Sequence, residues 1–313
     1  MFADPFYLYS PKYFSLKDIV LTIKGLTKRY GSITAVSNLD LDIERGSVFG
    51  ILGPNGSGKT TTLGVLLDVT KPDAGTFSWF GKPPDKSLRK RIGAILEVPL
   101  FYPYLSGKQN LELVAKIKDL PGDDIDEALK TVDLYDRRDS SFRTYSLGMK
   151  QRLAVASTLL GNPEVLILDE PTNGLDPRGI AEIRNIILNV ASRGVTIVLA
   201  SHILDEVQKT CTHMAVLEKG KKLFSGEVGQ VLNDAQWVEL SAENMASLQL
   251  ALQQVEFIDN IQEEGDKYIV RLSSPVSQAE LNSFFFSKGI VLTHLALRKK
   301  SLEKYFLELL DKS

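Results

Sequence analysis

Between an apolar run, Val48-Phe49-Gly50-Ile51-Leu52, and a stretch of helical character from Thr60 to Val69 lies the octapeptide Gly53-Pro54-Asn55-Gly56-Ser57-Gly58-Lys59-Thr60. It satisfies G-x-x-x-x-G-K-[ST] in the context the pattern needs, a strand before it and a helix after it. Glycines let consecutive backbone N–H groups curl toward one anion without Cβ clashes. The helix start adds the positive end of its dipole, and Lys59 adds a full charge suited to the β- and γ-phosphates of a nucleotide. Thr60 presents a hydroxyl to Mg²⁺. The bland alternative is a glycine-rich turn with an incidental lysine, and the complete pattern in the right frame outweighs it. Such a loop commits the chain to a strand that feeds directly into a helix, the elementary unit of an α/β sheet.

The same alternation recurs along the chain. Ile19-Val20-Leu21-Thr22-Ile23 and Leu39-Asp40-Leu41-Asp42-Ile43 read as strands, the second with period two, and Gly46 closes a turn before Val48. Thr76 to Phe80 is a further strand. Val165 to Leu168, Val195 to Ala200 and Met214 to Leu217 are apolar strands joined by helices at 180–191 and 204–211, the pattern of a parallel sheet with crossovers. Between these β-rich halves, 108–120, 125–134 and a stretch capped by Ser146 and running to Leu160 read as helices. Pro121-Gly122 and Gly161-Asn162-Pro163 break them. Beyond Gln236, strands at 237–240, 268–272 and 290–297 alternate with helices at 247–254, 277–287 and 302–310.

The expected fold is therefore α/β: a P-loop NTPase core, mostly parallel sheet with flanking helices and N-terminal antiparallel strands, carrying a helical insertion and followed by a small α+β domain. The expected boundaries are an N-terminal extension at 1–17, the main domain at 18–235 with its helical part at about 98–161, and the accessory domain at 236–313. A length of 313 residues suits two compact units at roughly 150 residues each. With 43% hydrophobic and 24% charged residues, long disordered stretches are excluded. No run approaches the ~20 apolar residues of a spanning helix. A net charge of −2 gives no general pull toward nucleic acid or an anionic surface. Cys211 has no second cysteine to pair with, and the aromatic-rich start lacks the pattern of a signal peptide, so a cytosolic location is expected.

Val165-Leu166-Ile167-Leu168-Asp169-Glu170 ends a buried strand on two carboxylates, at the end of a parallel sheet where ligands bind. Asp169 can reach a Mg²⁺ shell and Glu170 can take a proton from an attacking water. Alone, an apolar strand ending in acids is common; beside a phosphate loop it acquires a function.

Together these residues resemble an ATP-binding-cassette (ABC) transporter ATPase subunit, over roughly residues 18–235. Tyr30, in Thr27-Lys28-Arg29-Tyr30-Gly31, stands where the family places an aromatic that stacks on adenine. The phosphate loop and Thr61 follow, then the loop around Glu97. Tyr145-Ser146-Leu147-Gly148-Met149 occupies the signature position. Asp169 and Glu170, then Gly174-Leu175-Asp176-Pro177 at the dimer interface, then His202 in Ala200-Ser201-His202 complete the order. The resemblance implies ATP and Mg²⁺ as cofactors, with Thr60, Glu97 and Asp169 at the metal. Glu170 and His202 are its catalytic pair, and a second copy supplies Ser146, Gly148 and Asp176 to a composite site. It further implies a separate membrane permease as partner, no nucleic acid, and a place on the inner face of the cell membrane.

Two departures narrow the comparison. Leu147 stands where the usual signature has the first of two glycines, and Glu97 stands where a glutamine is usual. Both resemble the exporters of bacitracin and lantibiotic self-protection and the gliding-motility ATPases. A soluble ABC ATPase acting on ribosomes or DNA is the alternative. Against it stand a single phosphate loop and the absence of room for a long coiled coil between Lys59 and Ser146. His213, His294 and Cys211 read as structural, Arg298-Lys299-Lys300 as a solvated patch, and Phe101, Tyr102 and Tyr104 as either a permease contact or packing of the helical insertion.

Overall fold

The protein is described by a computed structural model, which covers residues 18–96, 100–233, 236–255, 257–274, 276–298 and Phe306. The expectations for 1–17, Glu97 and the last helix, Phe306 apart, lie outside the described residues. The first part runs β1 (Ile19–Tyr30), β2 (Ile33–Glu44), β3 (Val48–Leu52), α1 (Lys59–Leu66), β4 (Ala74–Trp79), α2 (Lys86–Arg89) and β5 (Ile92–Ile95). Then come helices α3 (Gly107–Ile117), α4 (Ile125–Thr131) and α5 (Leu147–Leu159). The β pattern resumes with β6 (Val165–Asp169), α6 (Pro177–Ser192), β7 (Thr196–Ser201), α7 (Leu204–Thr210), β8 (His213–Glu218), β9 (Lys221–Glu227) and α8 (Val228–Asn233).

The central sheet has the order β5-β6-β7-β3-β8-β9. Its neighbours from β5 to β8 are parallel, and β9 closes the edge antiparallel to β8. Both faces are buried, which explains the continuous apolar runs. Val48, Leu52, Leu166, Leu168, Ile197 and Leu199 join a core with the helices α3 to α6. Their alternates Phe49, Ile51, Val165, Ile167 and Val198 join a second core under the antiparallel sheet β2-β1-β4. Trp79 is fully buried there, and its indole N–H donates to the carbonyl of Leu66 at 3.1 Å, tying β4 to the end of α1.

The two edge strands of this sheet carry too little signal for a sequence pattern. β5 spans only Ile92-Gly93-Ala94-Ile95, and Gly93 is there because a Cβ would stand 2.0 Å from the carbonyl of Thr158 on α5. β9, Lys-Lys-Leu-Phe-Ser-Gly-Glu, is a half-exposed edge strand with few apolar positions.

The C-terminal residues form β10 (Gln236–Ala242), α9 (Met245–Leu252), β11 (Ile258–Glu264), β12 (Lys267–Leu272), α10 (Gln278–Ser287) and β13 (Leu292–Arg298). This βαββαβ succession makes an antiparallel sheet of order β11-β12-β10-β13, the split-βαβ arrangement. Its own core joins Val238, Leu240, Tyr268 and Val270 to Leu248 of α9 and to Leu281 and Phe285 of α10. Phe306 packs against the core of the central sheet and helices rather than against this one.

A polar network fastens the antiparallel sheet to the entry of β6. Glu164 accepts from Arg91 and, at 2.7 Å, from Arg45, which also pairs with Asp18. The Arg91 guanidinium lies 3.6 Å from the centre of the Phe80 ring. Hydrogen bonding from Arg91 first, then Arg45, holds the Glu164 carboxyl at about 2, against an ordinary 4.5. A depressed carboxyl pKa stabilises the fold fully above 4.5, and this contribution is lost as pH falls toward 2. Glu164→Gln should therefore lower the melting temperature at neutral pH and flatten its fall over that acid range. The groups are partly exposed, so the effect should stay below about 1 kcal/mol; thermal melts across pH, with an unchanged acid limb as the contrary result, test it.

Candidate functional site

The C-terminal ends of β6, β7 and β3 lie side by side, with Asp169 opposite Ala200 and Leu52 opposite Ser201. The phosphate loop leaves β3 here, and Gly53 N–H donates to the Ser201 carbonyl at 3.3 Å. Gly58 is the N-cap of α1 with φ +104°, and a Cβ on it would stand 2.3 Å from the Ala35 carbonyl of β2. A Cβ on Gly53 would meet the Leu217 carbonyl of β8 at the same distance. The loop is thus wedged between β2 and β8, and Gly220 in the β8–β9 turn donates its N–H to the Ser57 carbonyl at 3.0 Å. Because Gly58 has no side chain, no side-chain oxygen caps the first N–H groups of α1. Pro54, Asn55, Gly56 and Thr60 are exposed along the loop, Ser57 is buried, and Thr61 is half-buried.

Lys59 begins α1 and is only 5% exposed. Its Nζ donates to the carbonyls of Gly53 at 2.8 Å and Pro54 at 3.2 Å, and stands 3.3 Å from Glu170 Oε1. The other oxygen of Glu170 lies 2.8 Å from His202 Nδ1. One carboxylate therefore bridges the loop lysine and the histidine that follows β7. Asp169, the last residue of β6, is buried beside it. Glu170 has φ +47°, a left-handed conformation costing an L-residue roughly 1–2 kcal/mol. The turn is held by Glu170 N–H to Ala200 carbonyl at 3.0 Å and Asn173 N–H to Glu170 carbonyl at 3.1 Å. This turn, absent from any sequence signal, breaks the strand at the residue whose carboxylate meets Lys59 and His202.

Ser146, Gly148 and Asp176 assemble elsewhere. Ser146 caps α5 and accepts from the Met149 N–H at 3.2 Å. Asp176 caps α6, accepting from the Gly179 N–H at 2.7 Å, with Pro177 at the first helical position. Both caps and Gly148 line one cleft of about 350 Å³ together with Gly174, Arg152 and Glu182, and no phosphate-loop residue lines it. Leu147 is 54% exposed at its rim and faces Gly174. Tyr30 ends β1, half-exposed, on the hairpin whose other strand touches Gly58 through Ala35; the Lys28 ammonium lies 5.3 Å from its ring centre, a contact sequence reasoning did not anticipate. Among the described residues, no group of three or more His, Cys, Asp or Glu side chains could hold a metal by itself.

The sequence model of the family described as ABC transporter matches residues 36–173. The chain is 37% identical over 297 residues to the bacitracin transport ATP-binding protein BcrA of Bacillus licheniformis, covering 93% of this chain and 97% of that one. The chain belongs to the ABC transporter ATPases. As an ABC ATPase it is an ATP-binding transporter subunit that hydrolyses ATP. It is also 37% identical to the lantibiotic transport ATP-binding protein SrtF of Streptococcus pyogenes, over 66% of this chain and 91% of that one. Among solved ABC proteins, it is similar to cbiO1 of Clostridium perfringens, part of an ABC transporter complex, with TM-score 0.64 and 30% identity over 76% of this chain and 96% of that one. A dimeric cassette in a post-hydrolysis state, bound to ADP and Pi, matches with TM-score 0.58 and 25% identity over 66% of this chain and 98% of that one.

The wedged loop carries a test of its own. Gly58→Ala places a methyl against backbone and forces φ +104° on an L-residue, so it should destabilise the ABC ATPase by about 2 kcal/mol or more. Chemical denaturation measures this; a loss within about 0.5 kcal/mol, the level of a neutral surface change, would contradict the wedge.

Proposed function

We propose that this subunit binds MgATP between the phosphate loop of one copy and the Ser146–Asp176 cleft of a second, and hydrolyses it to drive export through a separate membrane permease. The observation that carries the reading is the Lys59–Glu170–His202 chain of contacts across three adjacent strand ends. ATP phosphates compete for Lys59 Nζ with the Gly53 and Pro54 carbonyls and with the Glu170 carboxylate. Glu170 accepts a proton from the water that attacks the γ-phosphorus, as the bond to the bridging oxygen of ADP breaks and phosphate leaves. His202 holds Glu170 in place through Nδ1. Tyr30 offers a ring face to adenine.

The Thr60 hydroxyl and the Asp169 carboxylate are hard oxygen donors on the residues flanking the Lys59–Glu170 contact, and they fit Mg²⁺, which keeps most of its shell for phosphate and water. When bound, that ion offsets the negative charge of the β- and γ-phosphates. Glu97 is assigned to the same shell from its sequence position.

The separation of the Ser146–Asp176 cleft from the phosphate loop supports the composite site: within one chain each half is incomplete. No helix among the described residues is long and apolar enough to cross a membrane, so passage needs a partner. Leu100 (96% exposed), Tyr102 and Tyr104 offer that partner an apolar contact. Phe101 instead turns inward, its ring edge-on to Phe142 with centroids 5.2 Å apart. We divide the chain into an extension at 1–17, the cassette at 18–235 and an accessory unit from 236, with the subunit peripheral on the inner membrane face. Export is supported by the bacitracin and lantibiotic relatives, whose named cargoes are the first to test.

Lys59→Ala should abolish tight ATP binding or hydrolysis; near-normal turnover at saturating ATP overturns the phosphate-loop assignment. Glu170→Gln should keep ATP binding, lose turnover by about 10²–10⁴-fold and accumulate as an ATP-bound dimer on size-exclusion chromatography. A variant that stays monomeric with ATP and Mg²⁺ counts against the composite site. For Glu97, Gln should bind ATP with altered Mg²⁺ dependence and Ala should cost more, whereas identical Mg²⁺ titrations for wild type and both variants remove it from the metal shell.

A further inference from the structure

Resting on the reading of Glu170 and His202 above, we propose that Arg184 and Glu206 are a positioning pair, which fixes the helix behind His202 against the helix behind Asp176. The guanidinium of Arg184 on α6 meets the Glu206 carboxylate on α7 through two parallel bonds, Nε to Oε2 at 3.2 Å and Nη2 to Oε1 at 2.7 Å. The side chains are 22% and 6% exposed, so this is among the most buried ion pairs of the described residues. Burying such a pair costs several kcal/mol of desolvation per ion, and well-packed apolar side chains often do as well or better for stability. What the planar fork adds is a fixed mutual orientation of its two carriers.

Those carriers are the two elements whose starts hold site residues. Glu206 sits in the first turn of α7, one turn past His202. Arg184 sits two turns along α6 from its cap, Asp176. α7 is short, and Ile203 at its N-cap provides no side-chain bond, so its start lacks the usual anchor. Within the preceding turn, the Ile203 N–H donates to Ser201 Oγ at 3.0 Å, a bond local to the turn that does not fix α7 laterally. Sideways drift of α7 would carry His202 with it, and the 2.8 Å contact of Nδ1 with Glu170 tolerates little drift. The pair holds α7 to α6, and thereby keeps His202 on Glu170 in step with the loop that meets the second copy.

The test uses the full chain with ATP turnover, ATP affinity and thermal melts as readouts. Arg184→Lys keeps the charge but loses the fork; it should fold, bind ATP as wild type does, and turn over about 10–100-fold more slowly, the scale of a small misplacement at a reacting centre. The double variant Arg184→Met, Glu206→Leu should melt near wild type yet remain slow. In a His202→Ala background, adding that double change should cost no further turnover, because the pair acts through His202. Turnover that recovers with stability in the double variant overturns the proposal. So do losses that multiply in the His202→Ala background. Wild-type turnover by His202→Ala alone overturns the reading of His202 and the positioning role with it, which separates the two failures.

Discussion

The Lys59 ammonium, buried at the start of α1, is satisfied by two carbonyls of its own loop and by the carboxylate of Glu170, and the geometry of the site follows from that arrangement. A buried cation needs partners to offset its desolvation. The carbonyls of Gly53 and Pro54 both accept from Nζ, so the loop curls around its own lysine. The carboxylate brings the end of β6 to the loop across β7, and His202 at the end of β7 takes the second oxygen. Charge satisfaction and site assembly are therefore one event in folding.

That event is possible only because β7 separates β3 from β6 in the sheet. Three neighbouring strands end side by side, and each brings part of the site: the loop after β3, Asp169 at the end of β6 with Glu170 following it, and His202 after β7. Burial of both sheet faces holds the strand ends rigid, since Leu166 and Leu168 lock into the helical core while Val165 and Ile167 lock into the core beneath β1. Glu170 pays for its place with a left-handed backbone, the kind of local strain that a well-determined framework sustains at a functional position.

Helix starts serve a different purpose at the cleft that no phosphate-loop residue lines. Ser146 and Asp176 are both N-caps, so each spends part of its hydrogen-bonding capacity on its own helix. A cap oxygen has acceptor capacity left over, and Leu147, Gly148 and Arg178 beside the caps line the same cleft. Leu147, where the signature usually has a small residue, places an exposed aliphatic chain at its rim and against the glycine that leads to Asp176. The Ser146 and Asp176 segments therefore meet each other within one chain.

The phosphate-loop pattern, the paired carboxylates, the histidine and the Ser146 cap were legible in the sequence because each is local, whereas Asp176 read there as a loop residue and its capping of α6 shows only in the structure. The α/β class was legible for the same reason, since strands buried on both faces leave continuous apolar runs. Short or edge strands were not, because β5 owes Gly93 to the carbonyl of Thr158 and β9 owes its place to pairing with β8. Nor was the partition of site residues into two groups, the positive φ of Glu170, or the lysine over Tyr30. The Arg184–Glu206 fork shows the limit plainly: its partners sit 22 residues apart on two helices separated by β7, and neither carries a pattern of its own. Local chemistry is written in order along the chain, whereas juxtaposition of groups from different strands and helices is decided only when the cores close and bring their ends together.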